Sequence, residues 1–209
     1  MPNKNKIAIV TGATAGIGRA IAIDFAKDGF HVAVCGTNSE RGDETVEIIK
    51  STGGLATFHA GDVSSPSDVA TQMIEISQLK DENQQLKQIA VLVNNAGHCQ
   101  VKAILDITPD EIKRMFEVHV LGAYLYTQAV VPFMKANNYG RIINITSSNG
   151  AGASEFTLHY QAAKAAQHSF TKSCALVFRK DGITINSVSP STVITKLFYE
   201  NDDNYKKYL

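Results

Sequence analysis

The sequence predicts a single α/β domain built on a doubly wound parallel sheet, a three-layer arrangement with helices on both faces. Three observations predict it. Short apolar runs recur along the 209 residues, helical patterns separate them, and the first run hands over directly to a glycine-rich turn. No internal repeat interrupts the alternation.

Taken in order, the first strand is read over Ile7–Val10, an unbroken apolar run of the kind a strand buried on both faces requires. The helix after it carries Ile17, Ala20, Ile21 and Phe25 at helical spacing, and Gly29 follows as a stop. Further strand-like runs lie at His31–Cys35, Ala56–Ala60 and Ile89–Val93, with the polar stretch Lys80 through Gln88 read as a helix end and surface loop without chemistry. Thr108-Pro109-Asp110-Glu111 is a helix start: an N-cap threonine, a proline at the first helical position and a capping-box glutamate. Arg141–Ile145 is the fifth strand. A helix through Tyr160 then ends at Asp181-Gly182, and Thr184–Val188 is the sixth strand.

Composition excludes several classes. Apolar residues make up 44% and charged residues 19%, ordinary for a globular enzyme, and 20 basic residues balance 20 acidic ones. Without a basic field, neither nucleic acid nor an anionic membrane is an expected partner. No apolar run approaches membrane-spanning length, and Met1 to Lys6 leads straight into the first strand with no signal peptide, so the cytoplasm is expected. Cys35, Cys99 and Cys174 are odd in number and lack metal-ligand spacing; no metal site is expected, and Cys35 reads as buried in its strand.

Chemistry concentrates in two places. Thr11-Gly12-x-x-x-Gly16-x-Gly18 sits where a strand meets a helix, where glycines permit a tight turn and close approach of the backbone to a pyrophosphate at the helix N-terminus. Its spacing departs from Gly-x-Gly-x-x-Gly, so alone it carries little. The second place is Tyr160-x-x-x-Lys164 with Ser147 thirteen residues upstream. A free tyrosine ionises near pH ~10. A lysine four residues on shares its helix face, and its charge is expected to favour phenolate and move the tyrosine toward working pH. Ser147 is placed to hydrogen-bond the same substrate oxygen. A Tyr-x-x-x-Lys pair is common on helices, and Ser147-Ser148-Asn149-Gly150 would also serve as a plain post-strand turn. The order glycine loop, serine, tyrosine and lysine is what makes the set informative.

With Asp62-Val63, Asn94-Asn95-Ala96-Gly97 and Asn186-x-Val188-x-Pro190 added, the set resembles the short-chain dehydrogenase/reductase family from about residue 5 to 197. The resemblance implies one Rossmann-type NAD(P)-binding domain over 1–209 and an oxidoreductase moving a hydride between nicotinamide and a carbonyl or alcohol carbon. Gly12, Gly16 and Gly18 would cradle the cofactor, with Thr14 and Ile17 in the same loop. Asp62 and Val63 would flank the adenine, Asn94, Ala96 and Gly97 would line the cleft, and Thr37, Pro190, Val193 and Thr195 would complete the cofactor contacts. Asn94-Asn95 also reads as a structural strand-end turn, a role the resemblance implies in part. Tyr160 would be the acid/base and Ser147 would polarise the carbonyl, while Lys164 would also hold the nicotinamide ribose. Asp28-Gly29-Phe30, Cys35 to Arg41 and Ser148 to Gly150 are most similar to the acetoacetyl-CoA and 3-oxoacyl-acyl-carrier-protein reductase branch. A sugar, polyol or steroid-type dehydrogenase, or a non-catalytic cofactor-binding sensor, stays open. The small residues Ala162, Ala163, Ala165 and Ala166 imply a homodimer or homotetramer.

Four departures from the family pattern bear on function. His119 stands where the family has asparagine in a water chain to the lysine, so its role is either relay or structural. Ser191 replaces a glycine after Pro190, a strained position if it needs positive φ. Gly36-Thr37-Asn38 lacks the aspartate of NAD users, favouring NADP over NAD, although Ala15 and Thr37 take the places of basic residues and only Arg41 is near. Finally, Lys196 to Leu209 stands where the family continues into a helix and last strand, and the sequence reads as lacking both.

Overall fold

A computed structural model describes residues 3–195 and Tyr199. The reading of Lys196–Leu209 as a shortened end lies, apart from Tyr199, outside the described residues. Among the described residues six strands and six α-helices follow in order: β1 (Lys6–Thr11), α1 (Gly16–Lys27), β2 (His31–Gly36), α2 (Ser39–Ser51), β3 (Leu55–Ala60), α3 (Pro66–Ser77), β4 (Gln88–Asn94), α4 (Pro109–Phe116), α5 (Gly122–Ala136), β5 (Gly140–Ile145), α6 (Leu158–Phe178) and β6 (Ile183–Val188). Each of the six expected strands is present within a residue or two of its expected bounds.

All neighbouring strands pair in parallel, in the order β3-β2-β1-β4-β5-β6. The unbroken apolar runs are explained by cover on both faces. Ala8, Val10, Val32 and Val34 pack against one helical layer with Ala22, Ala26 and Ile49, whereas Ile7, Ile9, Leu92 and Ile142 pack against the other with Met73, Tyr126 and Val130. Burying such side chains contributes roughly 1.5–3 kcal/mol each, which fixes the sheet as a rigid platform.

The strand order reverses between β1 and β4, so the loops leaving their C-terminal ends diverge and open a crevice, the position where sheets of this kind bind ligands. Thr11 and Asn95 hold that crevice to shape. The Thr11 hydroxyl accepts from the Asn95 and Ala96 amides, both at 3.0 Å, and the Asn95 side-chain amide donates to the carbonyls of Thr11 at 3.0 Å and Gly12 at 3.2 Å. Between α4 and α5 the chain runs through one π-helical turn, Glu117–Leu121, which carries His119. The helix start at Thr108 is the expected capping box, both reciprocal bonds included. No helix among the described residues is long and apolar enough to cross a membrane.

Candidate active site

A cavity of about 590 Å³ occupies the crevice. At one end lies the β1–α1 turn. Gly12 and Gly16 have φ of +64° and +54°, conformations that glycine adopts without strain. A Cβ on Gly12 would lie 2.8 Å from Ala96 Cα, and one on Gly18 would lie 2.3 Å from the Gly12 carbonyl oxygen. Gly18 therefore works from behind, letting α1 pack on the turn, and does not itself line the cavity as Gly12, Thr14, Gly16 and Ile17 do. Thr37 and Arg41 line the same end beyond β2.

Along the middle, Asp62, Val63, Ala96 and Gly97 line the wall. Asp62 is held by Arg114 at 2.6 Å and by the Ser64 amide at 2.9 Å and hydroxyl at 2.8 Å. Its burial raises the carboxyl pKa, but these donors outweigh that and hold it below the usual value. The expectation for Asn94 is corrected. Its amide faces the sheet interior, buried, and donates to Asn144 Oδ1 at 2.8 Å, because Asn94 is the last residue of β4; Asn95, the next residue, takes the place in the wall.

At the other end, Ser147, Tyr160 and Lys164 converge with His98, Cys99 and His119. Ser147 follows β5 by two residues. Its hydroxyl accepts from the Asn149 amide at 3.2 Å and offers a hydrogen bond to Tyr160. Lys164 is buried and donates to the Ile145 carbonyl at 2.6 Å and to Gln167 Oε1 at 3.2 Å, with Nζ 5.8 Å from the Tyr160 ring centre. Burial pulls its ammonium down to about 7. The expected lowering of Tyr160 is also corrected: burial pushes the phenol above its ordinary value, and the adjacent Ser147 hydroxyl offsets only part of this. The physical reason is desolvation, which penalises phenolate and ammonium alike when both are taken from water.

His119 meets Tyr160 edge-on, ring centres 5.4 Å apart. It makes no hydrogen bond to Lys164. Its Nε2 lies 2.8 Å from the His98 carbonyl and 3.3 Å from the His98 amide; the shorter contact makes Nε2 the protonated nitrogen and leaves buried Nδ1 with no partner among the described residues. Burial lowers its pKa well below the ordinary value, so the ring is neutral. The loop turning at Pro190 closes this side. Pro190 accepts the Ser148 amide, and Val193 and Thr195 line the cavity, with Thr195 3.5 Å from where a Gly16 Cβ would stand. Ser191 is unstrained: among the described residues only Gln84 and Asn138 are non-glycine residues with positive φ.

A model of the family described as short chain dehydrogenase matches residues 6–206. The chain belongs to that family. Its members are NAD(P)-dependent oxidoreductases, and the site has the parts such chemistry needs. This short chain dehydrogenase is 34% identical over 92% of its length to D-beta-hydroxybutyrate dehydrogenase of Rhizobium meliloti (strain 1021), covering 73% of that protein. It is 32% identical over 99% of its length to an L-rhamnose 1-dehydrogenase (NAD(P)(+)) of Sphingomonas sp. (strain SKA58), covering 80% of it. A crystal structure of a single-substitution variant of actinorhodin polyketide ketoreductase with NADPH superposes with a TM-score of 0.91 at 29% identity, over 97% of this chain and 76% of that one.

The residues present fit a dinucleotide. The two positive-φ glycines let the β1–α1 turn bend tightly against Ala96, the cavity runs from that turn to Tyr160, and among the described residues no acidic side chain stands at the end of β2. Asn95 is a wall residue inside the Asn94-Asn95-Ala96-Gly97 motif for which the sequence implies no cofactor contact, and Arg114, His98 and Cys99 are wall residues that carry no motif. Only their proximity in sequence to Asn94 and Gly97, or for Arg114 its place on α4 opposite Asp62, could have pointed to them.

Proposed function

We propose that this short chain dehydrogenase catalyses NADP(H)-dependent interconversion of a ketone and a secondary alcohol at C3 of a 3-oxoacyl thioester. The observation that carries the reading is the meeting of Ser147, Tyr160 and Lys164 at the end of the cavity opposite the glycine cradle. The acyl class is supported by a β-hydroxy acid in the name of one relative and a polyketide ketone in that of the structural neighbour. When bound, the dinucleotide supplies the hydride. Ser147 donates a hydrogen bond to the substrate carbonyl oxygen and polarises it, and Tyr160 gives its phenolic proton to that oxygen as negative charge develops there. Lys164, when charged, stabilises the phenolate left on Tyr160, and Val63, Ala96 and Gly97 close the wall against water.

NADP is favoured over NAD by the Gly36-Thr37-Asn38 end of β2 and by Arg41. Arg41 has no acidic partner among the described residues, whereas nearby Arg19 is taken by Glu44 at 2.6 Å. The exposed Ala162 and Ala165 on α6 support a homodimer or homotetramer. A sugar substrate is the second reading, favoured by the rhamnose dehydrogenase likeness across 99% of the chain.

The test is loss of reduced-nicotinamide absorbance with acetoacetyl-CoA, and its gain with L-rhamnose and NADP⁺. Rapid loss with NADPH, abolished by Tyr160→Phe while NADPH still binds, is the expected result. Turnover of rhamnose alone would move the enzyme to the sugar reading. A Tyr160→Phe variant as fast as wild type would overturn the mechanism.

A further inference from the structure

We propose that Gln100 and His159 form a positioning pair that fixes the first turn of α6, and with it Tyr160, against the loop that carries His98 and Cys99 into the cavity. The inference rests on reading Tyr160 as the proton donor. The first turn of α6 has no cap of its own. Thr157 occupies the N-cap position but makes no capping bond, and its buried hydroxyl has no partner among the described residues. The turn is instead held from the β4–α4 loop. The Lys102 amide donates to the Phe156 carbonyl at 2.8 Å, and His159 Nε2 lies 3.1 Å from Gln100 Oε1.

The direction of that second bond is set by Glu111 on α4. The Glu111 carboxylate can only accept. It takes Gln100 Nε2 at 2.6 Å, Lys102 Nζ at 2.7 and 2.9 Å and the Thr108 amide at 2.9 Å. Gln100 must therefore present its oxygen to His159, and His159 must carry its proton on Nε2. The consequence is a buried Nδ1 on His159 without a partner, consistent with a ring kept neutral by burial. Charge on Glu111 thus fixes an amide, the amide fixes a tautomer, and the tautomer fixes the residue beside Tyr160. The same loop is pinned at its other end, where the His98 carbonyl accepts from His119. Tyr160 is faced by Ser147 after β5, His98 and Cys99 of the loop, His119 of the π turn, and Lys164 of its own helix; His159 is faced by Gln100, with Glu111 and Lys102 beyond it.

Gln100→Leu keeps the shape and removes both bonds. Tyr160 ionisation is read as the difference in tyrosinate absorbance between this variant and its Tyr160→Phe double variant, against the same pair in the wild-type background. The Tyr160 midpoint is expected to fall, because a loosened turn admits water. With acetoacetyl-CoA, kcat should fall about tenfold while the Kd for NADPH, measured by cofactor fluorescence, stays within about twofold, since the glycine cradle is untouched. His159→Gln retains a donor toward Gln100 and should behave as wild type; His159→Leu should reproduce Gln100→Leu. The pair is overturned if Gln100→Leu leaves the Tyr160 midpoint unmoved, or if His159→Gln and His159→Leu behave alike. If wild-type protein does not reduce acetoacetyl-CoA, the substrate reading fails, and the tyrosine titration still decides the pair.

Discussion

Lys164 is where burial and chemistry conflict most openly. Its ammonium is withdrawn from water and compensated by two neutral oxygens, the Ile145 carbonyl and Gln167 Oε1, and no carboxylate among the described residues faces it. Desolvation is therefore the largest influence on it and sets its value at about 7. Lowered in this way, the amine changes charge across neutral pH: below about 7 it is a cation that favours phenolate on Tyr160, and above it a neutral donor that still satisfies Ile145. Reductive ¹³C-methylation followed by NMR should show one lysine signal, absent from Lys164→Met, with a midpoint near 7. If no signal lost in Lys164→Met titrates near 7, water reaches Nζ more freely than its burial indicates. The Tyr160–Lys164 pair was legible from the sequence because spacing alone puts i and i+4 on one helix face. The direction of the Tyr160 shift was not, since it depends on how much solvent the rest of the fold removes.

At the scale of elements, local rules held where a motif is complete within a few residues. Thr108-Pro109-Asp110-Glu111 specifies its own helix start, and the structure forms both bonds of the box. Thr108→Ala should cost about 1 kcal/mol of stability, read as a fall in the urea midpoint, with Glu111 keeping Lys102 and Gln100 as partners. No change in midpoint would mean that α4 is held by packing alone. Other features were illegible for the opposite reason. The π turn at Glu117–Leu121 follows no local code; it places His119 over Gly97, whose missing side chain leaves room for the ring, as a Cβ there would lie 2.3 Å from His119 Cε1. Asn94 and Asn95 are equivalent by composition. Only the point at which β4 stops decides that one bonds Asn144 inside the sheet and the other staples the two loops.

For the whole molecule, a sheet covered on both faces brings buried titratable groups with it, and these set its response to acid. The largest lowering with a definite value among the histidines is that of His31 on β2, down to about 4, chiefly by burial and then by Lys87 and His59. It belongs to a chain that crosses to α3. The Glu75 carboxylate accepts from His59 Nδ1 at 2.8 Å, the Thr57 hydroxyl lies 2.9 Å from His59 Nε2, and His31 Nε2 lies 3.2 Å from that hydroxyl. A folded value below the unfolded one means that the unfolded chain binds the extra proton first. The stabilisation is full above about 6.5 and is lost as pH falls toward about 4. For His31 this amounts to about 3 kcal/mol by pH 4. His98, His119 and His159 are shifted the same way, each by burial first, and steepen the same limb. Urea unfolding at pH 7, 6, 5 and 4 should therefore show falling stability, and His31→Gln, whose amide still donates toward Thr57, should flatten the slope by about one proton's share. An unchanged slope in that variant would assign the acid limb to the other lowered groups, His98, His119 and His159 with the carboxyls of Asp62, Asp68 and Glu111. The acid response would then belong to the active-site end of the sheet, and the β2–β3 edge would play no part in it.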